Sequence, residues 1–394
     1  MGRLNVMLKP AADSCNMSCE YCYYSYHDDH AEKNGGQKQS EDKHQEDKWM
    51  SAEMLENTVQ KSLDFAAAGG FDCNFIFQGG EPALRSLDFY RKAVKFQKNH
   101  SIDGAGAVSN FIQTNGLELD EDWADFLASE DFLAGISLDG LPGLHDRYRR
   151  SAAGNPTHKR VRENLNMLAD RGVEFNILTV INDRTVQQPA QNYRYLRDLG
   201  AEYLQFIRYV PEAADFTREK TAPTPEDYGY FLIKLFSLWK EDLERALAGG
   251  GEREFTNIRY FENLLLIMMG LSPGPCEMKK SCQAQLVIEA DGSVYPCDYY
   301  VRDSWRLGSI CGDDLEEIMN SPLMKEFLRS SQQLPSQCNN CRWLELCRGG
   351  CRYRRSSIKP DNSAGAGYFC SSFRHFFESC GMELRKLASR LERS

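Results

Sequence analysis

Three cysteines near the amino end, Cys15, Cys19 and Cys22, follow a short apolar run (LNVMLK) at C-x3-C-x2-C spacing. Three thiolates this close together suit three irons of a [4Fe–4S] cluster, because soft sulfur ligands favour iron–sulfur centres. The fourth iron then has no protein ligand and is open to chelate and polarise a small molecule. A zinc knuckle with a distant fourth ligand shares the spacing, so the motif alone leaves the metal open. Eight more cysteines gather towards the carboxyl end. Cys276, Cys282 and Cys297 come first, then Cys338, Cys341, Cys347 and Cys351 as C-x2-C-x5-C-x3-C, and finally Cys370. They suffice for two four-thiolate sites, and zinc ribbons compete with iron–sulfur clusters for that spacing too. Cys73, Cys311 and Cys380 are left over, and lone cysteines are ordinarily small buried hydrophobes without a chemical role.

The elements that must position these residues belong to an ordinary globular chain. It has 394 residues, 42% hydrophobic and 26% charged, enough for one large domain and an appendage. Its net charge of −10 argues against a nucleic-acid partner, and the short basic cluster at Arg147–Arg150 and His158–Arg162 reads as a solvated face or anion contact. No apolar run approaches the roughly 20 residues that span a bilayer, Leu264–Met269 being the longest candidate. The amino end lacks a signal-peptide core, and Val6 stands where myristoylation expects Ser or Thr. The expected location is the cytoplasm, with no membrane partner. In that reducing setting clustered cysteines mean metal rather than disulfides.

From residue 51 apolar periodicity alternates between helix and strand. Helices are expected at 51–68, 86–98, 120–128, 160–171 and 189–198. Strands are expected at 4–9, 74–78, 108–113, 132–138, 173–181 and 202–208. This rhythm predicts a parallel sheet buried on both faces, closing wholly or partly into a barrel, with chemistry on loops after the strands. Two further helices, 225–247 and 255–270, precede the cysteine-rich end, which places a domain boundary near 270. The polar stretch 31–48 reads as a mobile surface insertion, and His27, His30 and His44 in or near it as solvent-exposed.

The C-x3-C-x-aromatic-C loop, with Tyr21 before the third cysteine, resembles that of the radical S-adenosylmethionine (SAM) superfamily. Gly79, Gly80, Glu81 and Pro82 follow the second strand in the register of that superfamily's GGEP segment. Asn115 (QTNG) and Ser137 (SLDG) end the next two strands, where the family places SAM-contacting groups. The dinucleotide-binding G-x-G-x-x-G and the Walker loop are absent. The resemblance implies an α/β fold: a partial (β/α)6 TIM-like barrel over 1–270. The methionyl end of SAM would chelate the open iron, and Glu81 and backbone carbonyls would accept from its ammonium.

The pattern C-x9-G-x4-C (Cys282, Gly292, Cys297), then C-x2-C-x5-C-x3-C and a final cysteine, resembles the SPASM extension. The extra Cys276 resembles the anaerobic sulfatase-maturating enzymes in particular. A C-terminal SPASM domain over 271–394 is implied, with a C-terminal helix and two auxiliary [4Fe–4S] clusters. One would be held by Cys276, Cys282, Cys297 and Cys351 and the other by Cys338, Cys341, Cys347 and Cys370, giving three clusters in all. The implied reaction oxidises a cysteine or serine of a sulfatase (Cys/Ser-x-Pro/Ala-x-Arg) to formylglycine. A 5′-deoxyadenosyl radical takes hydrogen from Cβ, and a flavodoxin- or ferredoxin-type partner supplies the first electron.

The resemblance assigns the proton to Asp298, directly after Cys297, and places Tyr24 and Gln78 at the substrate pocket. A turn cap for Asp298, and packing for the other two, are the structural alternatives. Two rival functions remain: a SPASM enzyme that forms thioether or carbon–carbon crosslinks in a peptide, and a zinc-ribbon binding module.

Overall fold

A computed structural model describes residues 2–22, 24, 48–100, 106–210, 221–249, 255–356, 365 and 367–393. The 31–48 stretch (but for Lys48), His27, His30 and His44 lie outside the described residues. In chain order the strands are β1 (Arg3–Leu8), β2 (Met17–Cys19), β3 (Asp72–Phe77), β4 (Val108–Thr114), β5 (Phe132–Ser137), β6 (Arg149–Ser151), β7 (Phe175–Ile181), β8 (Tyr203–Arg208), β9 (Asn257–Ile258), β10 (Leu286–Ile288), β11 (Ser293–Tyr295) and β12 (Gly308–Ser309). The chain forms two compact units, each discontinuous in sequence.

The first unit comprises residues 1–137, 146–174 and 284–326. Its strands β1, β3, β4 and β5 pair in parallel, in that order, with β10 parallel to the free side of β1. Antiparallel β11 and β12 extend that edge. The expectation of two buried faces fails: β1, β3 and β4 alternate buried and more accessible residues, so only one face is sealed. The reason lies in the residues on the other face. Asn5 and Asn74 are hydrogen-bonded there at 2.9 Å, and Gln113 donates to Ser137 Oγ at 3.4 Å. Parallel strands need crossovers, and these are the helices Ala52–Gly69, Leu87–Asn99 and Glu121–Ser129. Ser51 caps the first of them by accepting from the Met54 N–H at 3.0 Å. Beneath the sheet Tyr90 packs edge-on to Phe77 and Trp123, with ring centres 5.0 and 4.8 Å apart.

The second unit comprises residues 138–145, 175–283 and 327–394. Strands β7, β8 and β9 are parallel. The helices Pro225–Leu247, Arg259–Met268 and Cys370–Leu391 converge on Phe236, Phe261 and Phe376, whose ring centres lie 5.3 to 5.8 Å apart. Each of these rings is almost fully buried and contributes about 1.5–3 kcal/mol. The helix expected over 255–270 is shorter, because Asn257 and Ile258 are drawn into β9. Among the described residues no helix is long and apolar enough to cross a membrane.

Candidate functional site

The cysteine loop leaves β1 through Lys9 and Pro10 and is fixed from behind by the turn after β3. The Gly80 N–H donates to Ala12 O at 2.9 Å and the Glu81 N–H to Ser14 O at 2.7 Å. Gly80 has to be glycine, since a Cβ there would lie 2.2 Å from the Ser14 carbonyl oxygen and 2.6 Å from the Asp13 carbonyl carbon. Cys15 accepts from the Met17 N–H at 3.4 Å, Cys19 lies in β2, and the Cys22 N–H donates to Cys19 O at 3.1 Å. Asn115, at the end of β4, reaches the same loop: its side-chain amide lies 3.8 Å from Cys15 Sγ and 2.7 Å from Asn16 Oδ1. Tyr21 is buried, and its hydroxyl accepts from Arg149 at 3.2 Å. That arginine belongs to the basic cluster of the sequence and is buried rather than solvated. Arg147, in the same cluster, pairs with Glu20.

Glu81 faces inward. One carboxylate oxygen accepts from Thr114 Oγ1 at 2.6 Å and the Ala83 N–H at 2.9 Å, and the other from the Asn115 N–H at 2.7 Å. It therefore joins the end of β3 to the end of β4. Burial raises its pKa to about 7, against these donors and Arg149, which favour the charge.

Asp298, Gln78 and Tyr24, which sequence places far apart, are brought together within the first unit. Pairing of β10 with β1 makes this possible, because it sets the turn Asp298–Tyr300 beside the end of β1. Gln78 Nε2 lies 3.3 Å from Asp298 Oδ2. The group at the centre is one that sequence reasoning missed, Lys9. Its ammonium lies 2.5 Å from Asp298 Oδ1, 3.1 Å from Glu289 Oε1 and 4.8 Å from the centre of the Tyr24 ring. Burial works against that charge, but Asp298, Tyr24 and Glu289 outweigh it and raise the lysine's pKa. Glu289's own carboxyl is raised by burial, with Lys9 opposing. The available signal was a lysine closing an apolar strand at the mouth of the cysteine loop.

In the second unit Cys351 lies close enough to Cys276 and Cys282 to add to the desolvation that raises the pKa of both thiols. Cys338, Cys341, Cys347 and Cys370 line a cavity of about 630 Å³, together with Trp343 and Phe373. Arg348, Gly349 and Gly350 turn the chain between Cys347 and Cys351 with φ of 54°, 79° and 68°. Arg355 secures that turn by donating to the carbonyls of Gly349 (3.2 Å), Gly350 (2.9 Å) and Ser331 (2.8 Å). Cys297 stands in the first unit, directly before Asp298. Of the unassigned cysteines, Cys73 and Cys380 are buried as expected. Cys311 is exposed instead, with its sulfur 3.3 Å from that of Met54.

These donor sets fit iron–sulfur clusters. Burial pushes the Cys15 thiol up to about 12 and the Cys347 thiol up to about 11, a penalty that a bound metal removes by supplying positive charge. Among the described residues no group of three Cys, His, Asp or Glu side chains is placed to hold a single metal ion.

Fold and cysteine loops together define a class. Residues 10–196 match the radical SAM superfamily and residues 276–342 match SPASM, an iron–sulfur cluster-binding domain. The chain is thus an α/β radical SAM enzyme with a mostly parallel sheet and a SPASM domain. It is 37% identical to the cysteine-type anaerobic sulfatase-maturating enzyme of Clostridium novyi, over 99% of each chain. It is 32% identical to the serine-type enzyme of Bacteroides thetaiotaomicron, over 95% of this chain and 89% of that one. The solved structure of native anSMEcpe with bound AdoMet and Cp18Cys peptide superposes with a TM-score of 0.86, at 35% identity and 99% coverage of both chains. The chain belongs to the family of anaerobic sulfatase-maturating enzymes.

Proposed function

We propose that this enzyme oxidises a cysteine of a sulfatase polypeptide, in a Cys-x-Pro-x-Arg segment, to formylglycine. The observation that carries the reading is the convergence of Lys9, Gln78, Tyr24 and Asp298 in a unit that also holds Cys15, Cys19 and Cys22. Cysteine is favoured over serine as the substrate because identity to the cysteine-type relatives is higher, 36–37% against 28–32%. The first cluster would sit on Cys15, Cys19 and Cys22. Cys276, Cys282, Cys297 and Cys351 would hold a second, and Cys338, Cys341, Cys347 and Cys370 a third. Residues 1–270 would serve the radical step and 271–394 the auxiliary clusters. When bound, the clusters and SAM supply a hydrogen-abstracting radical at the substrate Cβ and an acceptor for the second electron.

The chain's own residues do the rest. Gly79 and Gly80 admit SAM close to the backbone, and Asn115 and Ser137 offer it polar contacts. Glu81 acts by bracing Asn115, and Tyr21 packs behind the loop. Tyr24 and Gln78 line the substrate side, where Gln78 orients the Asp298 carboxylate. Asp298 takes the proton at Oδ2 while Lys9 holds Oδ1, so the acceptor is aimed before substrate arrives. The substrate, having lost a hydrogen atom, a proton and an electron, is a thioaldehyde. Water replaces its sulfur and sulfide leaves. A small one-electron donor of the flavodoxin or ferredoxin type would start each cycle, in the reducing cytoplasm.

The test is anaerobic incubation of the reduced, SAM-loaded enzyme with a Cys-x-Pro-x-Arg peptide, followed by mass spectrometry and a sulfide assay. Aldehyde oxygen in place of thiol sulfur, with sulfide released in equal amount, is expected. Sulfur retained in a ring would assign the chain to the peptide-crosslinking SPASM enzymes instead.

A further inference from the structure

Between the two C-terminal cysteine sets lies a buried charge cluster that the reaction above does not use. Arg208 ends β8 and grips Glu277 with both terminal nitrogens, at 2.8 and 3.3 Å. Arg354 reaches the same carboxylate at 3.1 Å. The side chains of Arg208, Glu277 and Arg354 are only 10%, 27% and 17% exposed. Glu277 is the residue after Cys276, and Arg354 follows Cys351 by three positions, so the triad ties together the two loops that carry these thiols. Arg208 also faces the other set: its guanidinium lies 5.1 Å from the ring centre of Phe373, which lines the cavity of Cys338, Cys341, Cys347 and Cys370. Tyr228 accepts a hydrogen bond from Arg208, and Tyr260 stands beside it and Cys347.

Two guanidiniums and one carboxylate leave a fixed net charge of +1, with little water to screen it. Arginine cannot release its proton, so this charge persists through any redox change. We propose that the Arg208–Glu277–Arg354 triad is a positioning device shared by the two auxiliary cysteine sites, which locks the Cys276 and Cys351 loops together and raises the reduction potential of the clusters bound there. Surrounding charge is one of the levers by which proteins tune such centres, and a positive one favours the electron-rich form. The triad thereby biases both sites towards accepting an electron released during substrate oxidation. The inference rests on the reading that the C-terminal cysteines hold iron–sulfur clusters.

The test uses full-length, reconstituted C15A/C19A/C22A protein, so that only the auxiliary sites carry iron, and follows a potentiometric titration by electron paramagnetic resonance. Glu277→Gln raises the triad's charge and is expected to increase the reduced-to-oxidised ratio at a fixed potential about tenfold, ~59 mV for a one-electron couple. Arg208→Gln is expected to move it by a similar factor the other way. Shifts of opposite sign with full iron content are what a merely structural role does not produce. Equal shifts, or none, with iron retained overturn the proposal. If either variant sheds iron, Arg208→Lys and Arg354→Lys decide, since each keeps the positive charge and an ion pair with Glu277. Parent-like potentials in these two support the proposal, and altered or missing signals overturn it. A parent chain with no iron at its C-terminal cysteines refutes the underlying reading instead.

Discussion

Lys9 is the residue on which the chemistry of the first unit turns, because it answers two carboxylates at once. Its one buried ammonium lies within ion-pair distance of both carboxylates, at 2.5 Å from Asp298 Oδ1 and 3.1 Å from Glu289 Oε1. Lys9→Met should therefore destabilise the protein by about 3–5 kcal/mol, the cost of stranding buried charge, as read from a denaturant midpoint. Asp298→Asn keeps the shape and removes the proposed proton acceptor. Formylglycine formation should fall by roughly 10²–10⁴-fold while 5′-deoxyadenosine still accumulates, which chromatography of the same reaction resolves. Equal loss of both products would place Asp298 outside proton transfer. Glu81 gives a pH signature. Its folded pKa of about 7 lies above the ordinary 4.5, so the folded state holds the proton more tightly. Its contribution is fully present below pH 4.5 and is lost as pH rises through 7. Over that window the wild type should lose about 3 kcal/mol relative to Glu81→Gln, measured by parallel melts. Neither Lys9 nor the inward set of Glu81 was legible in the sequence. A lysine ending a strand reads as exposed, and its partners Glu289 and Asp298 come from a strand pairing that no local pattern announces.

At the scale of elements, legibility follows periodicity. The strand–helix units from residue 51 to 208 were readable to within about three residues, because each spans several turns or alternations of apolar spacing. The three-residue strands β10 and β11 carry no period, so their addition to the β1 edge, which delivers Asp298, was invisible. So was the pairing of β2 with β6, which anchors the Cys19 segment against Arg149–Ser151. Two turns carry disproportionate weight. Gly80→Ala would push a methyl group into the Ser14 and Asp13 backbone, which cannot retreat without moving Cys15. Iron at the N-terminal site should be lost while the C-terminal sites keep theirs, so iron analysis of the reconstituted full-length variant should find about eight irons rather than twelve. Arg355 is 5% exposed and donates to the carbonyls of Gly349 and Gly350 in that turn. Arg355→Met leaves those carbonyls without their donor and should cost about 1–3 kcal/mol for each one left unsatisfied.

Across the whole molecule the proposed chemistry makes a demand that composition can test. The cysteines were legible because ligand spacing survives in sequence. Their metal was not, because zinc and iron–sulfur sites share that spacing, and it is the match of residues 10–196 to the radical SAM superfamily and of 276–342 to an iron–sulfur cluster-binding domain that separates the two. Three [4Fe–4S] clusters predict about twelve irons per chain after anaerobic reconstitution, with little zinc. The sites are also separable, since the first draws only on Cys15, Cys19 and Cys22 and no other cysteine is proposed there. A C15A/C19A/C22A chain should retain about eight irons and form no 5′-deoxyadenosine from SAM under reduction. Replacing Cys338, Cys341, Cys347 and Cys370 should likewise leave about eight irons. Cleavage of SAM should survive there, because that site plays no part in chelating it, while coupling to formylglycine falls. If the first variant still cleaved SAM, the open iron would have to lie among the C-terminal cysteines. The order of events, from radical at the first site to electron acceptor at the others, would then have to be reversed.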